Sequence, residues 1–196
     1  MGTRNLICVV KDNKYCVAQY CQWDGYPAGQ GQHALDFLNN KFDKDLFSSK
    51  IDSIKIVTDA MLQGYLESCG ADPNSEWMSG EVAARFEERY PHLERGFGSK
   101  ILSYVQESKN PEIVTNITFA SDGLFCEWCY VLDLDKSTFE VFKGFNKEEP
   151  FDKSERFFFL NSNRANPDYT PVKLLKSFHL SDLPKNLQDS LPMEEK

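Results

Sequence analysis

The sequence predicts an α+β fold: a layered single domain in which an antiparallel sheet, built from N- and C-terminal hairpins, is covered by helices from the middle of the chain. Three patterns predict it. Residues 3–10 and 15–20 are rich in β-branched, aromatic and apolar side chains around a polar turn. Residues 32–107 carry apolar positions at helical spacing, and residues 113–179 return to strand-like runs. The domain spans residues 1–184, and residues 185–196 read as a polar, flexible tail.

The first hairpin turns at Asp12-Asn13, two residues that tolerate turn conformations. A regular ladder from that turn pairs Val10 with Tyr15, Cys8 with Val17 and Arg4 with Cys21. It puts Leu6, Cys8, Val10, Tyr15 and Val17 on one face and Ile7, Val9, Cys16, Ala18 and Tyr20 on the other. Both faces are apolar, which places the hairpin inside a layered domain rather than at an exposed edge.

Ala34, Leu35, Leu38 and Phe42 mark a helix over 32–42, and a second short helix covers 44–51. Residues 54–57 read as a strand. Thr58-Asp59 caps a helix that runs to Ser68 and stops at Gly70. Residues 72–78 are turn-like. Ser79 opens a helix whose inner face carries Val82, Phe86 and Tyr90 before Pro91 ends it, and residues 98–107 form another. Strands follow over 113–120, 124–134 and 138–142, the last two joined across Asp135-Lys136-Ser137. Further strands are expected over 157–160 and 172–179.

The chain has 41% hydrophobic residues and no apolar run long enough to span a bilayer. It also shows no export signal, and Leu6 stands where a myristoylation motif needs Ser or Thr, so a cytoplasmic protein with no membrane contact is expected. Six cysteines fit free thiols in a reducing compartment. A net charge of −8 argues against direct nucleic-acid binding and keeps a basic protein partner in view.

The most concentrated chemistry lies in "QYCQWDGYPAGQGQH", residues 19–33. Trp23 and Tyr26 offer flat stacking surfaces, and Arg4, brought close by the hairpin, can pair with Asp24. Gly29-Gln30-Gly31 precedes a helix whose free N–H groups attract anions. The candidate ligand-binding set is therefore Thr3, Arg4, Gln22, Trp23, Asp24, Tyr26, Gln30 and Gly31. A plain corner would need a turn but not amides at 19, 22, 30 and 32 with two aromatics and a charge pair.

Other motifs carry less. Cys126-Glu-Trp-Cys129 is a lone C-x-x-C whose cysteines point to opposite faces of a strand, so neither a metal nor a cofactor is expected. Glu127, Asp133 and Asp135 share strand parity but flank a hairpin turn. His33, His92 and His179 are scattered, and no nucleophile elbow, H-E-x-x-H helix or Walker loop is present.

The opening Gly2-Thr3-Arg4-Asn5-Leu6, the "WDGYPAGQG" loop and the segment Glu127-Trp128-Cys129-Tyr130-Val131-Leu132-Asp133-Leu134-Asp135 with Phe139 and Val141 resemble a family of uncharacterised bacteriophage and prophage proteins. More distant relatives occur among fungal hypothetical proteins. The resemblance covers about fifty residues of the 196. It implies a viral setting in a host cytoplasm and brings no established activity.

Three functional classes fit. The first is a non-catalytic, counter-defence binding protein that captures a small anionic, nucleotide-like ligand or a host defence protein through the loop. The second is a hydrolase, either with the stacked sheets of the N-terminal-nucleophile type or with Cys21 as an internal nucleophile. Removal of Met1 would expose Gly2 rather than Thr3, which weighs against the former. The third is an acidic inhibitor of a nucleic-acid-binding host protein.

Overall fold

The computed structural model describes residues 2–75, 77–147 and 150–192. Strands β1 (Asn5–Lys11) and β2 (Lys14–Cys21) form the first hairpin. Asp12 and Asn13 turn it at φ of 53° and 57°, the left-handed pair of a two-residue hairpin turn. A bulge at Val9/Val10 shifts the register beyond the turn. Val10 still faces Tyr15, but Val9 faces Val17, Cys8 faces Ala18, and Asn5, not Arg4, faces Cys21. The extra residue exchanges the expected faces of β2. Val17 joins Ile7 and Val9 in one core, while Ala18 joins Leu6, Cys8 and Val10 in the other.

Three later strands complete the main sheet: β5 (Trp128–Asp133), β6 (Thr138–Lys143) and β7 (Lys173–His179), in the order β2-β1-β5-β6-β7. The two hairpins are antiparallel as expected, yet β1 and β5 run parallel, so the sheet is mixed. A hairpin pattern fixes only local direction, and the long crossover between β2 and β5 returns the chain to the end at which β1 starts. In this order β2 is an edge strand. Its outer side is covered where Asn116 N–H donates to the Ala18 carbonyl.

Helices α1 (Gln32–Asn40), α2 (Lys44–Ile51) and α5 (Lys100–Glu107) cover one face of the sheet. Leu35, Phe47, Ile101 and Leu102 meet Ile7, Val9, Tyr130 and Leu132 in this core. Helices α3 (Asp59–Ser68) and α4 (Gly80–Arg89) build a smaller core with Val57, Val82, Phe86 and Leu93, beside a short parallel pair of β3 (Lys55–Ile56) with β4 (Glu112–Ile113). Thr58 and Ser79 cap α3 and α4 by accepting from Met61 N–H and Val82 N–H.

The opposite face of the sheet is covered by three-ten turns and coil instead of helices or a second stacked sheet. The stretches expected as strands over 113–120 and 157–160 are, past Ile113, largely the turns Ile117–Ser121 and Phe158–Asn163. Their apolar residues recur three apart, Ile117 and Ala120 in one, and Phe157 just before the other with Leu160 inside it, all in one core with Leu6, Cys8 and Val131.

The expected loose tail is corrected as far as residue 192. Leu187 is fully buried in the helix-side core and Leu191 nearly so. Gln32 fastens the segment, with its Nε2 donating to the Lys185 carbonyl at 3.0 Å and its Oε1 accepting from Leu187 N–H at 2.8 Å. Residues 193–196 lie outside the described residues.

Candidate functional site

The loop after β2 is held from below by its backbone. Gly25 N–H donates to the Thr3 carbonyl at 2.9 Å, Gln30 N–H to the Asp24 carbonyl at 2.8 Å, and Gln22 N–H to the Arg95 carbonyl at 2.9 Å. The buried Tyr130 hydroxyl rises from β5 to donate to the Gly25 carbonyl at 2.8 Å. Gly25 permits this approach, since a Cβ there would stand 2.7 Å from the Thr3 carbonyl oxygen. Pro27–Gly31 forms a turn, kinked at Gly29, that leads directly into α1.

Three of the four amides are fastenings of this frame. Gln30 Oε1 accepts from both the N–H and the hydroxyl of Ser99, each at 2.8 Å. Gln32 ties down the chain end, and Gln22 Oε1 accepts from the Tyr20 hydroxyl at 2.6 Å. Gln19 is buried in the sheet, and its Oε1 has no partner among the described residues. Gly31 is likewise interior, packed against Tyr130 and Leu187.

What the frame presents outward is Trp23, Asp24 and Tyr26. Trp23 is 50% exposed and Tyr26 43%. The indole lies against the backbone of Gly2 on one side and approaches Gly96 on the other. Asp24 is exposed and holds a φ of 55°, a left-handed conformation that an Asp tolerates better than most residues. Its Oδ1 lies 3.5 Å from the Tyr26 hydroxyl.

The expected Arg4–Asp24 pair is not formed. Arg4 stands 3.9 Å from Glu127, its backbone N–H donates to that carboxylate at 3.2 Å, and its guanidinium lies 4.2 Å from the centre of the Phe125 ring. With the true register Arg4 precedes β1 and turns to the β5 side. Phe125 is 45% exposed, so the ring that holds Arg4 is itself half open to solvent. Of the eight candidates, Trp23, Asp24 and Tyr26 share an open surface with Thr3 at its base. Gln22, Gln30 and Gly31 serve the frame, and Arg4 is held by Glu127 and Phe125.

Cys21, the candidate nucleophile, is fully buried and donates to the Trp23 carbonyl. Burial pushes its thiol above the ordinary value. His92 stacks on Tyr104, and His179 hydrogen-bonds Ser181. Cys126 and Cys129 face the same core beside Cys8, and burial raises both thiols well above the usual range. Among the described residues no group of three His, Cys, Asp or Glu side chains is placed to hold a metal ion.

A second constellation escaped the sequence reading. On the helix-free face, Arg156 reaches from the loop before the Phe158 turn to Asp133 of β5 and Glu140 of β6. Its Nε donates to Glu140 Oε2 at 2.6 Å and its Nη2 to Glu140 Oε1 at 2.8 Å and to Asp133 Oδ2. Burial works against the guanidinium's charge, but the hydrogen bonds to Glu140 and Asp133 outweigh it and hold its pKa above the ordinary value. Asp133 and Glu140 are 2% and 6% exposed. Tyr15 lies beside this triad, its hydroxyl pushed up chiefly by burial, and stacks on Phe157 at 5.7 Å. The parity of Asp133 was legible in the sequence; Arg156, from a coil, gave no periodic signal.

No family model, curated protein or solved structure matches this chain. Among the described residues no helix is long and apolar enough to cross a membrane.

Proposed function

We propose that this chain is a non-catalytic binding protein that docks a protein or peptide partner on the Trp23–Tyr26 loop. The observation that carries the reading is a pair of half-exposed aromatic rings on a backbone fastened at Gly25, Gln22 and Gln30. Rigid aromatic anchors lose little entropy on binding and supply most of the energy of many interfaces. Asp24 adds a carboxylate between them, suited to a cationic neighbour of the partner's apolar pocket.

A small anion is the weaker ligand for this surface. The loop N–H groups of Gly25, Gly29 and Gln30 are already bonded to carbonyls, and Arg4 is engaged by Glu127 and Phe125. A hydrolase built on Cys21 would need that thiol exposed, and it is fully buried, with burial holding it in the protonated form. In the viral setting that the sequence resemblance implies, a host defence protein is the corresponding partner.

Affinity capture from the cells in which the protein works tests this, with Trp23→Ala, Tyr26→Ala and Trp77→Ala compared after circular dichroism establishes their folding. Trp77, 88% exposed and away from the loop in sequence, is the control. Both loop variants should bind the captured partner at least about 30-fold more weakly, the effect of losing about 2 kcal/mol, while Trp77→Ala binds normally. Undiminished capture by both loop variants would remove the loop as the site. A nucleotide that raises the melting midpoint by about 5–10 °C only when Trp23 is present would restore the small-anion reading.

A further inference from the structure

The ionic triad forms the floor of a cavity of about 370 Å³ on the sheet's helix-free face. Its walls are aromatic and aliphatic, with Tyr15, Phe142 and Phe159 prominent. Phe159 is 54% exposed and lies 5.8 Å from Tyr15, so the two rings frame the mouth. Neither Trp23 nor Tyr26 lines it.

The charges on this lining do not balance. Asp133, Glu140 and Glu155 contribute three carboxylates, against two cations from Lys136 and Arg156. The buried floor alone holds two carboxylates and one guanidinium, and a buried excess charge is costly unless a counter-charge approaches it. Asp133 Oδ1 already accepts from the N–H groups of Asp135 and Lys136, and Glu140 Oε1 from the Thr138 hydroxyl. The carboxylates are thus fixed in place, while the side chains of Glu140 and Arg156 remain 7% and 13% accessible to the cavity side. Negative floor and aromatic walls together suit a cation with an apolar body.

We propose that this cavity is a binding site for an organic ammonium ion, whose charged head sits over the Glu140–Asp133 floor and whose apolar body lies against the rings of Tyr15 and Phe159. The volume accommodates a ligand of arylalkylammonium size, and the site is independent of the loop surface.

Phenethylammonium is the probe, with 3-phenylpropionate as an anion and 3-phenylpropanol as a neutral molecule of the same shape, each titrated by calorimetry against the whole chain. Phenethylammonium should saturate at or below about 1 mM and bind at least about 10-fold more tightly than either control. Glu140→Gln keeps the shape and leaves Arg156 balanced by Asp133, and should weaken the amine about 10-fold or more. Phe159→Ala, at an exposed wall position that leaves the triad intact, should weaken it about 3- to 10-fold and decides the matter should Glu140→Gln fail to fold. No saturable amine binding, preference for the carboxylate probe, or amine binding unchanged in the folded variants would each overturn the proposal.

Discussion

Tyr130 shows how one atom can hold a surface. Its ring is 1% exposed beneath the loop, and its hydroxyl satisfies the carbonyl of the buried Gly25. Tyr130→Phe keeps the ring and orphans that carbonyl, so stability should fall by about 1–2 kcal/mol. The measurement is urea unfolding, in which the midpoint should drop with an unchanged slope, together with faster amide exchange at Gly29 and Gln30. Unchanged exchange there would mean that the loop is fastened elsewhere. At this scale the sequence shows the exposed rings of Trp23 and Tyr26, because an aromatic pair in a Gly- and Pro-containing loop has little core to enter. The partner of Arg4 was hidden, since Glu127 lies 123 positions away and meets it only through the parallel seam. The amide of Gln30 looked like a ligand contact because its partner, Ser99, lies 69 positions away, whereas that of Gln22 is taken by Tyr20 only two residues back.

Helix caps were the most legible feature at the level of elements, as Thr58 and Ser79 act within three residues of themselves. The bulge in β1–β2 was not, because an extra residue leaves the apolar character of both strands intact while exchanging which face each side chain occupies. Two turns that the sequence does reveal are tied together by Asp135, whose Oδ1 and Oδ2 accept from Asp12 N–H at 2.9 Å and Asn13 N–H at 2.8 Å. These N–H groups, Asn13 first, hold the carboxyl below its ordinary value. A folded pKa below the unfolded one gives stability that is present above the usual carboxylate value of about 4 and lost as pH falls through the folded value. Urea midpoints of the native chain and Asp135→Asn should therefore differ at pH 6 and converge toward pH 3. A gap that persists at low pH would mean that the substitution acts through packing rather than through the charged hydrogen bonds.

The whole molecule is closed by contacts between the ends of the chain. The N-terminal hairpin finds its sheet neighbour only after a crossover of more than a hundred residues, and such non-local pairing costs more chain entropy to close than either hairpin does. This is why an α+β class was legible from local patterns while the parallel seam and the Arg156 triad, each joining distant segments, were not. The chain end adds a second closure. Residues 185–192 looked loose by composition, but Leu187 at full burial and Leu191 nearly so, with Gln32 bonded to the Lys185 carbonyl and the Leu187 N–H, dock them. Leu187 touches the position where Gly31 passes Tyr130, so it props the loop frame from behind. Leu187→Ala should open a cavity among α1, Tyr130 and the chain end, costing about 2–4 kcal/mol and lowering the melting midpoint by roughly 5–15 °C. The same variant should speed amide exchange in the Pro27–Gly31 turn more than in α4, which belongs to the separate small core. If α4 is destabilised equally, the two cores unfold as one unit and the local effect on the loop disappears into global opening. If neither changes, Leu187 contributes packing that the neighbouring side chains can replace, and residues 185–192 are not part of the frame that fixes Trp23 and Tyr26.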